Sequence, residues 1–232
     1  MQPDVICLDL DHTLWDTDPV IVAAEHATYD WIATHCPTAA ECYTLDALRE
    51  YKNAIAESYP QWRHQVSKLR REVLRRVFLQ AGLQNEQAEL MAHKAFAVFY
   101  HARSQVNLFD GASDALQQLA QYAPLVAVTN GNADLSIAGI DHLFSGHFSA
   151  EKIGAAKPEP DLFLAALEHC GASAANSVHV GDHQEQDIVA AARLGMKTVW
   201  VNLSDAPWAE SECRPDQEIN HLSQLPAAIA AI

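Results

Sequence analysis

The chain has 232 residues, enough for one large domain or a core with a smaller insert, and 49% are hydrophobic against 19% charged, the balance of an ordinary soluble globular protein. Its formal charge of −15 argues against a nucleic-acid-binding surface and opposes long-range attraction of any anion, so a phosphate site would have to be made positive locally. No stretch approaches the ~18 uninterrupted apolar residues of a membrane span, and no basic segment precedes an apolar run at the N-terminus.

The five cysteines (7, 36, 42, 170 and 213) form no C-x-x-C pair and read as thiols of a reducing compartment, which makes the cytoplasm the expected location. Twelve histidines are scattered, with no H-E-x-x-H helix and no zinc spacing.

The first element is DVICLDLDHTLWD, residues 4 to 16. An apolar run, Val5 to Leu8, stops at Asp9 and Asp11. Paired acids at the end of a strand suit a doubly wound α/β sheet, where ligands bind beyond the carboxyl ends of the strands. Two carboxylates so close repel each other, and a cation between them would relieve the repulsion.

Residues 18 to about 105 read as four successive helices, 18–36, 44–58, 61–81 and 85–103, broken at Cys36-Pro37, Tyr59-Pro60 and Ala81-Gly82. This predicts a small helical bundle at 17–105 inserted into a core made of 1–16 and 106–232. From Val106 strands and helices alternate. A helix at 112–122 precedes a strand at 124–130, and a further helical stretch leads to a short strand near 147–150. After the loop GAAKPEP come a helix from Pro160 to Cys170, a strand at 177–182, a helix at 187–194 and a strand at 196–201. The tail from Asn202 reads as a loop and a short helix near 221–231. Apolar strands alternating with helices predict a parallel sheet covered on both faces.

Four polar clusters fall at strand ends: Asp9 and Asp11, Thr129 and Asn130, Lys157, and Asp182 with Asp187. Parallel strands would gather them along one edge, and phosphoryl transfer uses each. Asp9 would be the nucleophile, dividing one displacement into two through an aspartyl-phosphate. Asp11 would protonate the leaving alkoxide and later deprotonate water. Magnesium (Mg2+) would sit among the Asp9 carboxylate, the Asp11 backbone carbonyl and the Asp182 side chain. The Thr129 hydroxyl, the neighbouring backbone N–H groups at Asn130, and Lys157 would bind the phosphate. Asp187 would orient metal waters or Lys157.

DLDHTLWD at 9–16, VTNGN at 128–132, AAKPEPDLF at 155–163 and VGDHQEQD at 180–187 resemble, in order, the four signatures of the haloacid dehalogenase-like hydrolase superfamily. The resemblance implies a Rossmann-like core with a helical cap inserted after the first signature. It maps the nucleophile to Asp9, the acid/base to Asp11, phosphate binding to Thr129 and Lys157, and the metal ligand to Asp182. The superfamily's dehalogenases lack an acid two residues after the nucleophile, because halide leaves without a proton. Asp11 therefore favours a phosphomonoester. His12 stands where a D-x-D-G mutase pattern would have glycine.

A non-catalytic phosphometabolite-binding protein on the same fold is the alternative from another class. The cap arrangement and YAPLVAVTNGNA resemble the bacterial flavin mononucleotide phosphatases, which also act on 5-amino-6-(5-phospho-D-ribitylamino)uracil. That resemblance implies a small phosphorylated metabolite as partner, with a general sugar- or nucleotide-phosphate phosphatase as the runner-up. In the cap, Arg63 and Arg70 lie one heptad apart at the edge of an apolar face (Trp62, Val66, Leu69, Val73, Val77) and are the candidates for substrate contact. Trp15 could stack on a base or pack beneath the cap hinge. Oligomeric state is not set by these features, and a monomer is compatible with them.

Overall fold

The structure, a computed structural model, describes residues 2–209 and 213–232. In chain order the elements are β1 (Val5–Leu8), α1 (Thr17–His35), α2 (Pro37–Cys42), α3 (Leu45–Ser58), α4 (Val66–Gln80), α5 (Asn85–Ser104), α6 (Ala112–Ala120), β2 (Leu125–Thr129), β3 (Gly146–Ser149), α7 (Ala150–Ile153), α8 (Asp161–Cys170), β4 (Ser177–Gly181), α9 (Ala190–Arg193), β5 (Lys197–Val201), β6 (Gln217–Ile219) and α10 (Leu225–Ala230). The chain divides into two compact units, one made of 1–16, 107–131 and 139–232, the other of 17–106 and 132–138.

The first unit holds a six-stranded parallel sheet in the order β3-β2-β1-β4-β5-β6. The strand order reverses at β1: later strands build outward through β2 on one side and through β4 on the other. This is where an open α/β sheet forms its ligand crevice. The central strands are short and wholly buried, which is why they read as unbroken apolar runs. One face packs Val5, Cys7, Val126 and Val128 against Leu162, Phe163 and Leu167 of α8. Burial pushes the Cys7 thiol up to about 12, so it behaves as an inert core group.

Three local readings change here. The predicted helix after β2 is absent. Asp134 Oδ1 instead accepts the Ser136 N–H at 2.9 Å, a side-chain turn that competes with helix. The helix predicted at 187–194 is a π-turn, Gln184–Val189, running into α9. The tail contains β6, whose register places Gln217 beside Val199 and Ile219 beside Val201. A three-residue strand with two polar side chains has no periodicity to reveal it, and it suits a sheet edge.

The second unit is helical. α1 packs on α5 and α5 on α4, around Ile32, Leu74, Val77, Phe78, Ala88, Ala92 and Ala95. Thr44 caps α3 by accepting the Ala47 N–H at 3.2 Å. The predicted helix 61–81 begins late, at Val66. Tyr59 and Trp62 stack at 4.3 Å and 8°, holding Pro60–Trp62 in a separate 3₁₀ turn. The break at Cys36-Pro37 holds, but Pro37 also opens the extra helix α2 as its first residue. Residues 132–138 join this unit through side chains: Arg103 donates to Asn132 at 2.8 Å, Asn132 to Ser67 at 2.9 Å, and Asp134 N–H to Ser104 at 3.0 Å.

Candidate active site

β1 ends at Leu8, and the Asp9 N–H bonds to the Val180 carbonyl at 2.9 Å, so Asp9 continues the ladder by one residue. The chain then turns. Leu14 N–H bonds back to the Leu10 carbonyl at 2.8 Å, and His12 takes a left-handed backbone with φ 63°. That conformation is uncommon for a residue with a Cβ, though histidine is enriched in it. The turn brings the Thr13 hydroxyl between two carboxylates, 2.8 Å from Asp182 Oδ1 and 3.2 Å from Asp9 Oδ2, while it accepts the Asp182 N–H at 3.1 Å. A hydroxyl has one proton to donate, and the shorter contact assigns it to Asp182.

Lys157 does not directly follow a strand: α7 intervenes after β3, and the lysine lies in the loop between α7 and α8. Its ammonium is almost completely buried and donates to Asp9 Oδ1 at 2.6 Å, Asp187 Oδ1 at 2.6 Å and the Val128 carbonyl at 2.9 Å. All three ammonium hydrogens are used. Burial opposes its charge, but Asp187 and Asp9 outweigh that and hold its pKa above the usual lysine value. Asp187 is also buried. Lys157 and then His179 overcome the effect of burial and keep its carboxyl well below the usual range. Asp9 goes the other way: burial, reinforced by Asp187 and Asp182, raises it despite Lys157. Burial and Asp187 likewise raise Asp182.

The strand ends hold this cluster through side chains that the sequence did not mark. His179, fully buried in β4, donates Nε2–H to Asp187 Oδ1 at 2.9 Å, with Phe163 edge-on to its ring. Burial lowers the His179 pKa, so it is neutral. Asp187 Oδ2 accepts the His183 N–H at 3.0 Å. Trp200 of β5 donates its indole N–H to the Asp182 carbonyl at 2.7 Å. Asn130 receives the Lys157 N–H at 2.7 Å and donates to the Lys157 carbonyl and to Gln186. Its side chain therefore clamps the lysine loop. Thr129 is buried, and its hydroxyl oxygen accepts the Gly131 N–H at 2.9 Å, which leaves the hydroxyl proton to donate.

Among the described residues, Asp9, Asp182 and Asp187 offer carboxylate oxygens within 4.8 Å of one another. Were all three carboxylates ionised against one lysine, with His179 neutral, the buried cluster would carry two negative charges, which burial and mutual repulsion oppose by raising Asp9 and Asp182. A divalent oxygen-seeking cation fits that deficit. Asp9 and Asp182 are the better ligands, since Asp187 already accepts three hydrogen bonds. The Asp11 carboxylate is not part of the triad. Its Oδ1 accepts the indole N–H of Trp15 at 2.9 Å, so Trp15, fully buried, cannot stack on a base.

The expected substrate arginines fare differently. Arg70 is turned inward: its guanidinium lies 3.5 Å from Glu25 and 3.5 Å from the centre of the Phe99 ring. It is a structural cation of the helical unit, because the buried face of α4 runs through Ser67, Val73, Leu74, Val77 and Phe78 and not through Trp62 and Val66. Arg63 is exposed and lies before α4 begins, so no heptad relates it to Arg70.

A profile of the haloacid dehalogenase-like hydrolases matches residues 3–195. The chain is 32% identical over 228 residues to the 5-amino-6-(5-phospho-D-ribitylamino)uracil phosphatase YigB of Escherichia coli (strain K12), covering 97% of this chain and 95% of that protein. It is 28% identical over 188 residues to the phosphoserine phosphatase of Thermus thermophilus, covering 78% and 72%. A solved structure, a 2-haloacid dehalogenase from Pseudomonas syringae pv. Tomato DC3000, superposes with a TM-score of 0.91 at 38% identity over 98% of both chains. With polar clusters following β1, β2 and β4, Lys157 brought in from the loop after α7, and likeness along nearly its whole length, this chain belongs to the haloacid dehalogenase-like hydrolases.

Proposed function

We propose that the protein is a magnesium-dependent phosphatase of small phosphomonoesters, working through an aspartyl-phosphate on Asp9. The observation that carries this reading is the buried Asp9 carboxylate held by Lys157 beside Asp182, together with a second carboxylate, Asp11, two residues away. Lys157 fixes Oδ1 of Asp9, leaving Oδ2 to attack phosphorus. The Thr129 hydroxyl and the Asn130 backbone N–H receive the equatorial oxygens. Asp11 gives a proton to the departing alkoxide and takes one from the water that opens the intermediate. A cation held by Asp9, Asp182 and the Asp11 carbonyl would neutralise phosphate charge. Residues 17–105 act as the cap that excludes water from the intermediate.

The favoured substrates are ribityl phosphates bearing a planar heterocycle, flavin mononucleotide or 5-amino-6-(5-phospho-D-ribitylamino)uracil, supported by likeness to YigB along nearly the whole chain. A broad sugar- or nucleotide-phosphate phosphatase is the second reading. Hydrolysis of a 2-haloacid is the third, favoured by the similar dehalogenase structure and opposed by Asp11, since a halide needs no proton to depart. Phosphate release from a panel of phosphomonoesters, and halide release from 2-chloropropionate, would be measured with magnesium and with a chelator. The proposal expects magnesium-dependent phosphate release that Asp9→Asn abolishes. Halide release without phosphate release, or full activity in Asp9→Asn, refutes it.

A further inference from the structure

We infer that Trp15 is the positioning residue for the proton carrier, fixing which oxygen of Asp11 exchanges the proton. The inference rests on the phosphatase reading above and deepens it.

The indole is held from several directions. Its side chain is fully buried. Its backbone bridges Asp11 on one side and Leu108 on the other, and the neighbouring contacts, His12 N–H to the Trp15 carbonyl and Phe109 N–H to the Leu14 carbonyl, are 2.9 and 2.8 Å. A buried indole N–H needs an acceptor, and here the acceptor is a carboxylate oxygen at 2.9 Å. A main-chain carbonyl would have served packing equally well.

Indole nitrogen only donates. Asp11 Oδ1 therefore accepts from Trp15 in both halves of the cycle, and the proton of the acid form sits on Oδ2. With Oδ1 bonded to a fully buried ring, Oδ2 delivers that proton to the leaving oxygen and recovers one from the attacking water in the same orientation. Each transfer breaks one O–H bond and forms one, and the carboxyl group returns to its starting state.

The test compares kcat/KM, which reports transfer to Asp9, for an alkyl phosphate and for p-nitrophenyl phosphate, whose leaving group needs little protonation. The variants are W15F, D11A and the double variant, all with magnesium. A misplaced proton donor predicts that W15F loses about tenfold to a hundredfold on the alkyl ester and no more than about threefold on the aryl ester. In the D11A background W15F should then cost almost nothing further on either ester, because the residue it serves is gone.

Equal losses on both esters, or the same loss with and without Asp11, overturn the inference while the phosphatase reading stands. If D11A itself shows no leaving-group preference, the proton-carrier assignment fails and the inference fails with it. Should W15F unfold, site-specific replacement of Trp15 by β-(3-benzothienyl)alanine keeps the shape and removes the N–H. Retention of wild-type selectivity in that protein also overturns the inference.

Discussion

Lys157 carries the most at the level of single residues. Its ammonium donates to two buried carboxylates and to a strand carbonyl. Lys157→Met removes the charge and strands Asp9 and Asp187 in a buried site. Breaking a buried pair in this way costs about 3–5 kcal/mol, so denaturant unfolding should show a loss of that order together with activity near background. Unchanged stability would mean that water reaches the cluster. Gly181 answers to a different constraint. A Cβ there would lie 2.3 Å from Asp187 Cγ, so Gly181→Ala must displace Asp187 and, through it, Lys157. Overpacking of this kind costs about 1–3 kcal/mol, and kcat should fall at least about tenfold while far-UV circular dichroism stays native. Wild-type kcat in Gly181→Ala would show that Asp187 does not position Lys157.

Between elements, α1, α3 and α4 meet at Glu25, which binds Arg49 at 2.7 Å, Lys52 at 3.5 Å and Arg70 at 3.5 Å. Burial pushes the Glu25 carboxyl up, but Arg49, Lys52 and Arg70 prevail and hold it below its ordinary value of 4.5. A depressed folded pKa means stability that is complete above the unfolded value and is lost as pH falls through the folded one. The urea midpoint difference between wild type and Glu25→Gln should thus be largest near neutrality and shrink as pH drops below about 4.5. A difference independent of pH would assign the effect to packing. The same helices show why some elements were legible and others were not. α5 and α8 announce themselves by length, breakers and apolar spacing. The late start of α4 depends on a Tyr59–Trp62 stack, and the missing helix after β2 on an aspartate side chain. β6 depends on the exposed edge of β5. Each is decided by a partner that local spacing does not name. At the site, acids at strand ends were readable from strand propensity alone. His179 and Trp200 were not, because a buried histidine or tryptophan in an apolar run looks like packing until the sheet assembles, and neither was the contact of Thr13 with Asp182, which joins residues far apart in the chain.

Over the whole molecule, the charge of −15 sets a field against the proposed dianionic substrate. The site offers one buried lysine to counter it. Inert salt should therefore raise kcat/KM at constant magnesium, by about twofold between roughly 10 and 150 mM as the Debye length shortens. A fall over that range would show that the local positive field governs encounter. The division into two units has a further consequence, in the order of synthesis. β1, which the proposed nucleophile directly follows, is synthesised before the elements it pairs with, since its ladder partners lie within residues 125–129 and 177–181. Most of the helical unit is contiguous and emerges in between, so its contacts close over short loops while those of β1 must wait. Pulse-labelled hydrogen exchange during refolding should find α1, α4 and α5 protected before β1. Until β2 and β4 arrive, Val5 to Leu8 is an unpaired apolar strand, the segment of this chain most in need of a chaperone's cover.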